Sequence, residues 1–159
     1  MTAAGTAATA GRALLAGAAG SAAMSATSRL ERRLLPDSVD VVDYDASSHV
    51  VTAVAAVLRR EPRDGGEHRA YFALAHWGYG SAIGLAYPVL RRRLGPGWAA
   101  PVALWAGCQT MALVLLPTLG DTPPPWRWRG RLLATSLAGH VVYVVGVAAA
   151  TRALRRRSS

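Results

Sequence analysis

Three polar side chains stand inside otherwise uncharged apolar stretches: His76, Gln109 and His140. Polar groups are costly in hydrocarbon, so each is a candidate for function. Histidine titrates near neutrality and suits proton exchange. Two histidines can also ligate a metal or haem. A third ligand at matching depth is lacking apart from Cys108, the single cysteine, so neither metal nor cofactor is expected. One thiol also excludes an internal disulfide. The plainer role for the three side chains is hydrogen bonding between helices, worth about 0.6 kcal/mol on average. No G-x-S-x-G, H-E-x-x-H or G-x-x-x-x-G-K-[ST] motif accompanies them, and Ser47-Ser48-His49 lacks the context of a triad. Catalysis is therefore not expected.

Residues 70–90, 98–119 and 132–151 form three apolar, uncharged stretches that carry these groups. A bilayer core of about 30 Å takes about 20 apolar residues of helix, a length each stretch meets. At about 1.5 Å per residue, His76 lies about 9 Å into its span and His140 about 12 Å, both from the same side. Gln109 lies about 15 Å from that side. The depths agree within one or two helical turns, so a cluster of His76, Gln109 and His140 is geometrically available, with Thr110 and Tyr79 near it. Pro88, Pro101 and Pro117 fall near span ends, where a missing backbone donor matters less.

A fourth stretch, about 8–28, is dominated by Ala, Gly and Ser. Ala13, Gly17, Ser21 and Ser25 recur every fourth residue, a spacing that lets helix backbones approach closely in lipid. Arg12 can snorkel to the interface. The rival reading is a cleaved secretory signal with Ser21-Ala22-Ala23 as its cleavage site. The weak apolar run and the small-residue stripe favour a retained span. Matching stripes occur later: Gly80 and Gly84 form a G-x-x-x-G, and Gly139, Tyr143, Gly146 and Ala150 share a face. All are read as packing faces.

Composition agrees with lipid as the solvent. The chain has 159 residues, 52% hydrophobic and 17% charged, with a mean hydropathy of +0.21. That excludes a disordered chain. All 18 basic residues are arginine, the net charge is +9, and the pI is near 11.2. Such a pI suggests nucleic acid, but the arginines flank the spans and no recognition motif appears. No nucleic-acid partner is expected. Arg91, Arg92 and Arg93, with Trp98, Trp126 and Trp128, read as interface anchors. Four spans place both termini on one side. That side carries eight arginines and no acid; the other carries the remaining ten and all nine acids. Arginine count alone does not orient the chain; the acid-free side is expected to be cytoplasmic.

The segment between the first two spans is long. Asp45 can cap a short amphipathic helix, about 46–60, whose Val50, Val51, Val54, Val57 and Leu58 share one face. It is expected to lie on the bundle or bilayer surface. Residues 61–66 form a turn, Gly95-Pro96-Gly97 a tight hairpin, and Pro123-Pro124-Pro125 an extended loop. The expected fold is thus all-α: an integral membrane bundle of four transmembrane helices plus the amphipathic helix, in one domain covering 1–159.

The order His76, Gly84, Tyr87, Leu116-Pro117, Gly120, Thr122-Pro123-Pro124, Gly139-His140, Tyr143 and Arg152 resembles the YagU-like family of small bacterial inner-membrane proteins. The likeness covers about 76–152; the first half follows more loosely and its loop is longer. The resemblance implies a multi-span inner-membrane protein with the proline loop outside the cytoplasm. It supplies no catalytic residues. The expected function is a structural or accessory membrane component acting through helix–helix packing, with the lipid bilayer and a second copy or another membrane protein as partners. The alternative is proton or solute translocation through the His/Gln cluster.

Overall fold

A computed structural model describes residues 3–34, 46–128 and 130–156. Among these the regular structure is entirely helical. Helix α1 (Ala3–Leu34) has 32 residues, about 48 Å long. It overruns the expected span of 8–28 at both ends. Alanine outweighs the scattered glycines as a helix former, and no proline interrupts the stretch. Thr9 and Thr27 donate their hydroxyls to the carbonyls one turn back, at 2.8 and 3.1 Å, so neither needs water.

Helix α2 (Ala46–Leu58) ends two residues before the expected limit. Arg59 adopts a left-handed conformation, φ 53°. The Arg60 N–H reaches the Ala55 carbonyl at 3.0 Å and the Arg59 N–H reaches Ala56 at 3.3 Å. These two bonds form the Schellman closure that caps a helix C-terminus. Asp45, the expected N-cap, lies outside the described residues. The helix lies on the bundle, one of the two surfaces expected for it: it packs against α3 and α6, while Thr52, Ala56, Val57 and Leu58 are exposed. Val51 and Ala55 are buried with Tyr71, and the His49 Nδ1–H donates to the Gly120 carbonyl at 2.5 Å.

Asp64 then caps α3 (Gly65–Ala73), accepting from the N–H groups of Gly66 and Glu67 at 2.7 and 2.9 Å. Glu67 accepts from the Arg63 N–H at 2.8 Å and pairs with the Arg60 and Arg63 guanidiniums. The Arg63 N–H first, and the two guanidiniums after it, hold its carboxyl below the usual range.

The expected second span is not one regular helix. After α3 come a π-helical turn, Leu74–Tyr79, then α4 (Gly80–Ile83) and α5 (Ala86–Leu94). Pro88 offers no N–H, and its ring crowds the carbonyl four residues back. That carbonyl belongs to Gly84, and the chain tightens around it. Gly84, Leu85 and Tyr87 bond to carbonyls three residues back, at 3.1, 3.0 and 3.2 Å. Pro88 thus reshapes the helix well inside the expected span, not only near its end.

Gly95 and Gly97, with φ of 78° and 124°, turn the chain as the Gly-Pro-Gly motif predicts. Helix α6 (Ala99–Leu119) follows. After a short 3-10 turn at Pro125–Arg127, α7 (Gly130–Arg156) closes the structure. Two helical stretches, Ala99–Leu119 and Leu133–Arg156, are long and apolar enough to cross a membrane. α1 has the length but too many Ala, Gly, Ser and Thr, and residues 70–90 are interrupted.

α1 lies between α7 on one side and α4 on the other; α6 packs on α5 and α7. Small residues set these approaches. An added Cβ at Gly17 would lie 2.5 Å from the Ser81 carbonyl oxygen, and one at Gly84 would lie 2.8 Å from Gly17 backbone. On the other face of α1, Gly20 lies against Tyr143 and Val147, while Gly146 meets Gly20 and Ala23. Gly139 faces the Met24 side chain. Tyr143, buried, donates its hydroxyl to the Gly80 carbonyl at 2.5 Å, joining α7 to α4 beside α1.

Candidate functional site: a polar pair facing an apolar cavity

The three polar side chains singled out by type and depth do not form one group. Gln109, on α6, meets His140, on α7: Oε1 lies 2.9 Å from Nδ1. The Ser136 carbonyl, one turn before His140, also lies 2.9 Å from Nδ1. The Gln109 amide N–H reaches the Ser136 hydroxyl at 3.4 Å. One turn earlier on α6, the Trp105 indole N–H donates to the Leu137 carbonyl at 3.3 Å. A polar seam of two turns therefore joins α6 to α7.

His76 is elsewhere. Its Nε2 lies 2.7 Å from the Ser25 hydroxyl and 3.3 Å from the Ser21 carbonyl, both on α1. The Ser21 hydroxyl donates in return to the His76 carbonyl at 3.1 Å. That carbonyl sits in the π-helical turn, where the Gly80 N–H bonds to Trp77. Phe72 stacks on the imidazole at 5.8 Å between centroids, and Trp77 meets it edge-on at 5.3 Å. His76 itself lies within the π turn, on the side that meets α1.

The geometry at His140 fixes its chemistry. Both partners of Nδ1 are carbonyl oxygens, which only accept. Nδ1 therefore carries the proton, and in the neutral ring Nε2 is an acceptor. His140 lines a cavity of about 1130 Å³ between α1, α2, α6, α7 and the π turn. Its walls are mainly apolar, with Met24, Val54, Leu74, Met111, Leu115 and Val142, but Thr27, Ser28, Glu31 and Thr135 border it too. Tyr79, Cys108 and Ser136 also border it, at the level of His140. From Cys108 to Leu119 the α6 wall runs about 16 Å. The volume exceeds the 300–1,000 Å³ of common small-molecule sites.

Among the described residues no group of three or more His, Cys, Asp or Glu side chains is placed to hold a metal ion. Thr110, expected near the cluster, is exposed on α6. Arg91, Arg92 and Arg93 occupy the last turn of α5. Trp98 and Trp126 are both 82% exposed and sit at opposite ends of α6. Trp128 donates its indole N–H to the Pro123 carbonyl at 2.7 Å and borders the cavity. Ser136 and Ser25 were not singled out as site residues. Ser136 was legible as the residue four before His140, Ser25 only as a member of a packing stripe.

No family model matches this chain, and neither does any curated protein or solved structure.

Proposed function

We propose that this protein is an integral membrane bundle of four spans, with α1 and residues 70–90 crossing beside α6 and α7. It acts as a structural or accessory component through helix packing. The observation that carries this reading is the surface. Only 22% and 17% of the most apolar stretches of α6 and α7 are buried within the molecule. The core helix of a water-soluble protein is mostly buried. Here Leu15, Val102, Val114 and Val145 face outward, while glycine, alanine and serine line the contacts of α1. That inversion suits lipid, where helix association draws on close packing rather than on burial from water. The acid-free end, with Arg12 and Arg91 to Arg93, is the cytoplasmic end in this reading, as the YagU-like resemblance also implies. Alkaline extraction followed by ultracentrifugation should leave the full-length protein in the membrane pellet, and cross-linking there should capture a second copy or a partner. Recovery in the supernatant would end the membrane reading. A strictly monomeric, partner-free species would end the accessory role.

A second reading follows from the cavity. His140 Nε2 accepts, and the walls are mainly apolar, so the space suits a largely apolar molecule with one hydroxyl directed at that nitrogen. A diazirine-bearing long-chain alcohol should label α6 and α7 in the purified protein several-fold more than its methyl ether, which cannot donate. Equal labelling would reduce the cavity to space filled by any lipid. This fits the geometry better than translocation, which drew on His76, Gln109 and His140 acting together.

A further inference from the structure

At the opposite end of the bundle from the cavity mouth, four guanidiniums from three helices border one groove. Arg12 comes from α1, Arg91 and Arg92 from α5, and Arg155 from α7. The groove has a volume of about 600 Å³, and Pro88, Pro96 and Leu154 contribute apolar surface to it. The Arg92 Nε–H donates to the Pro88 carbonyl at 3.4 Å, which fixes the stem of one arginine along α5. No Asp or Glu occurs in residues 1–30, 68–120 or 122–159. Every acidic side chain therefore belongs to the far end of the helices or to the segment joining α1 and α2. Four guanidiniums bordering one groove concentrate positive charge there.

We propose that this groove binds a phosphate group, held by forked guanidinium contacts, and that the phosphate is the headgroup of an anionic membrane lipid. Guanidinium presents paired donors that match phosphate geometry. Basic pockets between spans on the cytoplasmic side hold lipid phosphates in this way. The lipid source, rather than free phosphate, follows from the apolar surface of Pro88, Pro96 and Leu154 beside the charges. It also follows from the position of the groove at the end of the spans. The assignment rests on the membrane reading above.

The test uses full-length protein in zwitterionic nanodiscs doped with phosphatidylglycerol, with inorganic phosphate as the headgroup-free probe. Native mass spectrometry should show retained phosphatidylglycerol. The double variant Arg12→Gln/Arg92→Gln should bind it about tenfold more weakly, the scale of losing a charged hydrogen bond. Arg29→Gln/Arg33→Gln, at the other end, should leave binding unchanged and controls for general loss of charge. Since Arg12 and Arg92 lie at the end of the bundle, circular dichroism of the variant should stay helical. If it does not, Arg155→Gln alone must still lower binding several-fold. Equal loss in both double variants, or no loss in either, overturns the site. Inorganic phosphate binding as tightly as the lipid overturns the lipid assignment. Recovery of the protein in the soluble fraction defeats the membrane reading separately, and the phosphate arm then still reports on the arginines.

Discussion

The two halves of this bundle are built on opposite terms. Around Ala13 to Gly20, α1 meets α4 and α7 with backbone almost touching backbone. Toward Leu34 the same helix borders a cavity of about 1130 Å³, although the side chains there are larger. Bulk alone therefore does not close a bundle. Small residues let helices come within contact of each other's carbonyls, whereas Met24, Met111 and Leu115 hold helices apart without filling the gap between them. α2 wedges between α3 and α6 at the open end. That gives the space a wall that the four-span expectation did not include.

This contrast breaks most readily in the dense half. Gly84→Leu places a side chain against the Ala13 carbonyl and the Gly17 backbone, neither of which can swing aside. A loss of about 3 kcal/mol or more is expected, read as failure to recover folded protein or a large fall in the thermal midpoint. Tyr143→Phe removes the hydroxyl that reaches the Gly80 carbonyl. It should cost about 1–3 kcal/mol by the same assay, since the carbonyl loses that partner.

In the first turn of α3 the effect is smaller and depends on pH. The Glu67 carboxyl is held below its ordinary value of 4.5. Its folded form thus binds a proton less readily than its unfolded form. The stabilisation is present above that ordinary value and is lost as pH falls through the lowered one. Midpoints measured across acid pH should fall for the parent, and part of that slope should vanish in Glu67→Gln. The smallest change is expected in the open half. Ala112→Leu adds to a wall of the cavity and should shift the midpoint by less than about 1 kcal/mol. A loss like that of Gly84→Leu would show that the two halves are not built differently.

Length and charge made α6 and α7 legible, because an uncharged run bounded by arginine and glycine leaves few alternatives. α1 was read too short: hydropathy discounts Ala and Gly, although alanine continues a helix well. The interruption at Pro88 was missed as well. Proline acts on the carbonyl four residues before it, so its influence reaches inward even when it stands near an end. At the site, counting residues gave depth along each helix and nothing about direction around it. Gln109 and His140 share both coordinates. His76 shares only depth: it leaves its helix, within the π turn, on the side that meets α1, and no motif announces that turn. The face of α2 was read correctly as apolar, but its choice of partner depended on Tyr71 and Gly120, distant in sequence.

The sandwiching of α1 between α4 and α7 also sets an order of events during synthesis. α1 leaves the ribosome before either of its partners exists, and α7 comes last of the three. Its face toward α4 must therefore stay unoccupied until about half of the polypeptide is made, and its face toward α7 until nearly all of it is. Pairing between such distant segments carries a high loop-closure cost and comes late. Assembly of the dense half is thus a closing step rather than a nucleus, and until α7 arrives the nascent protein carries exposed small-residue grooves open to capture by another chain.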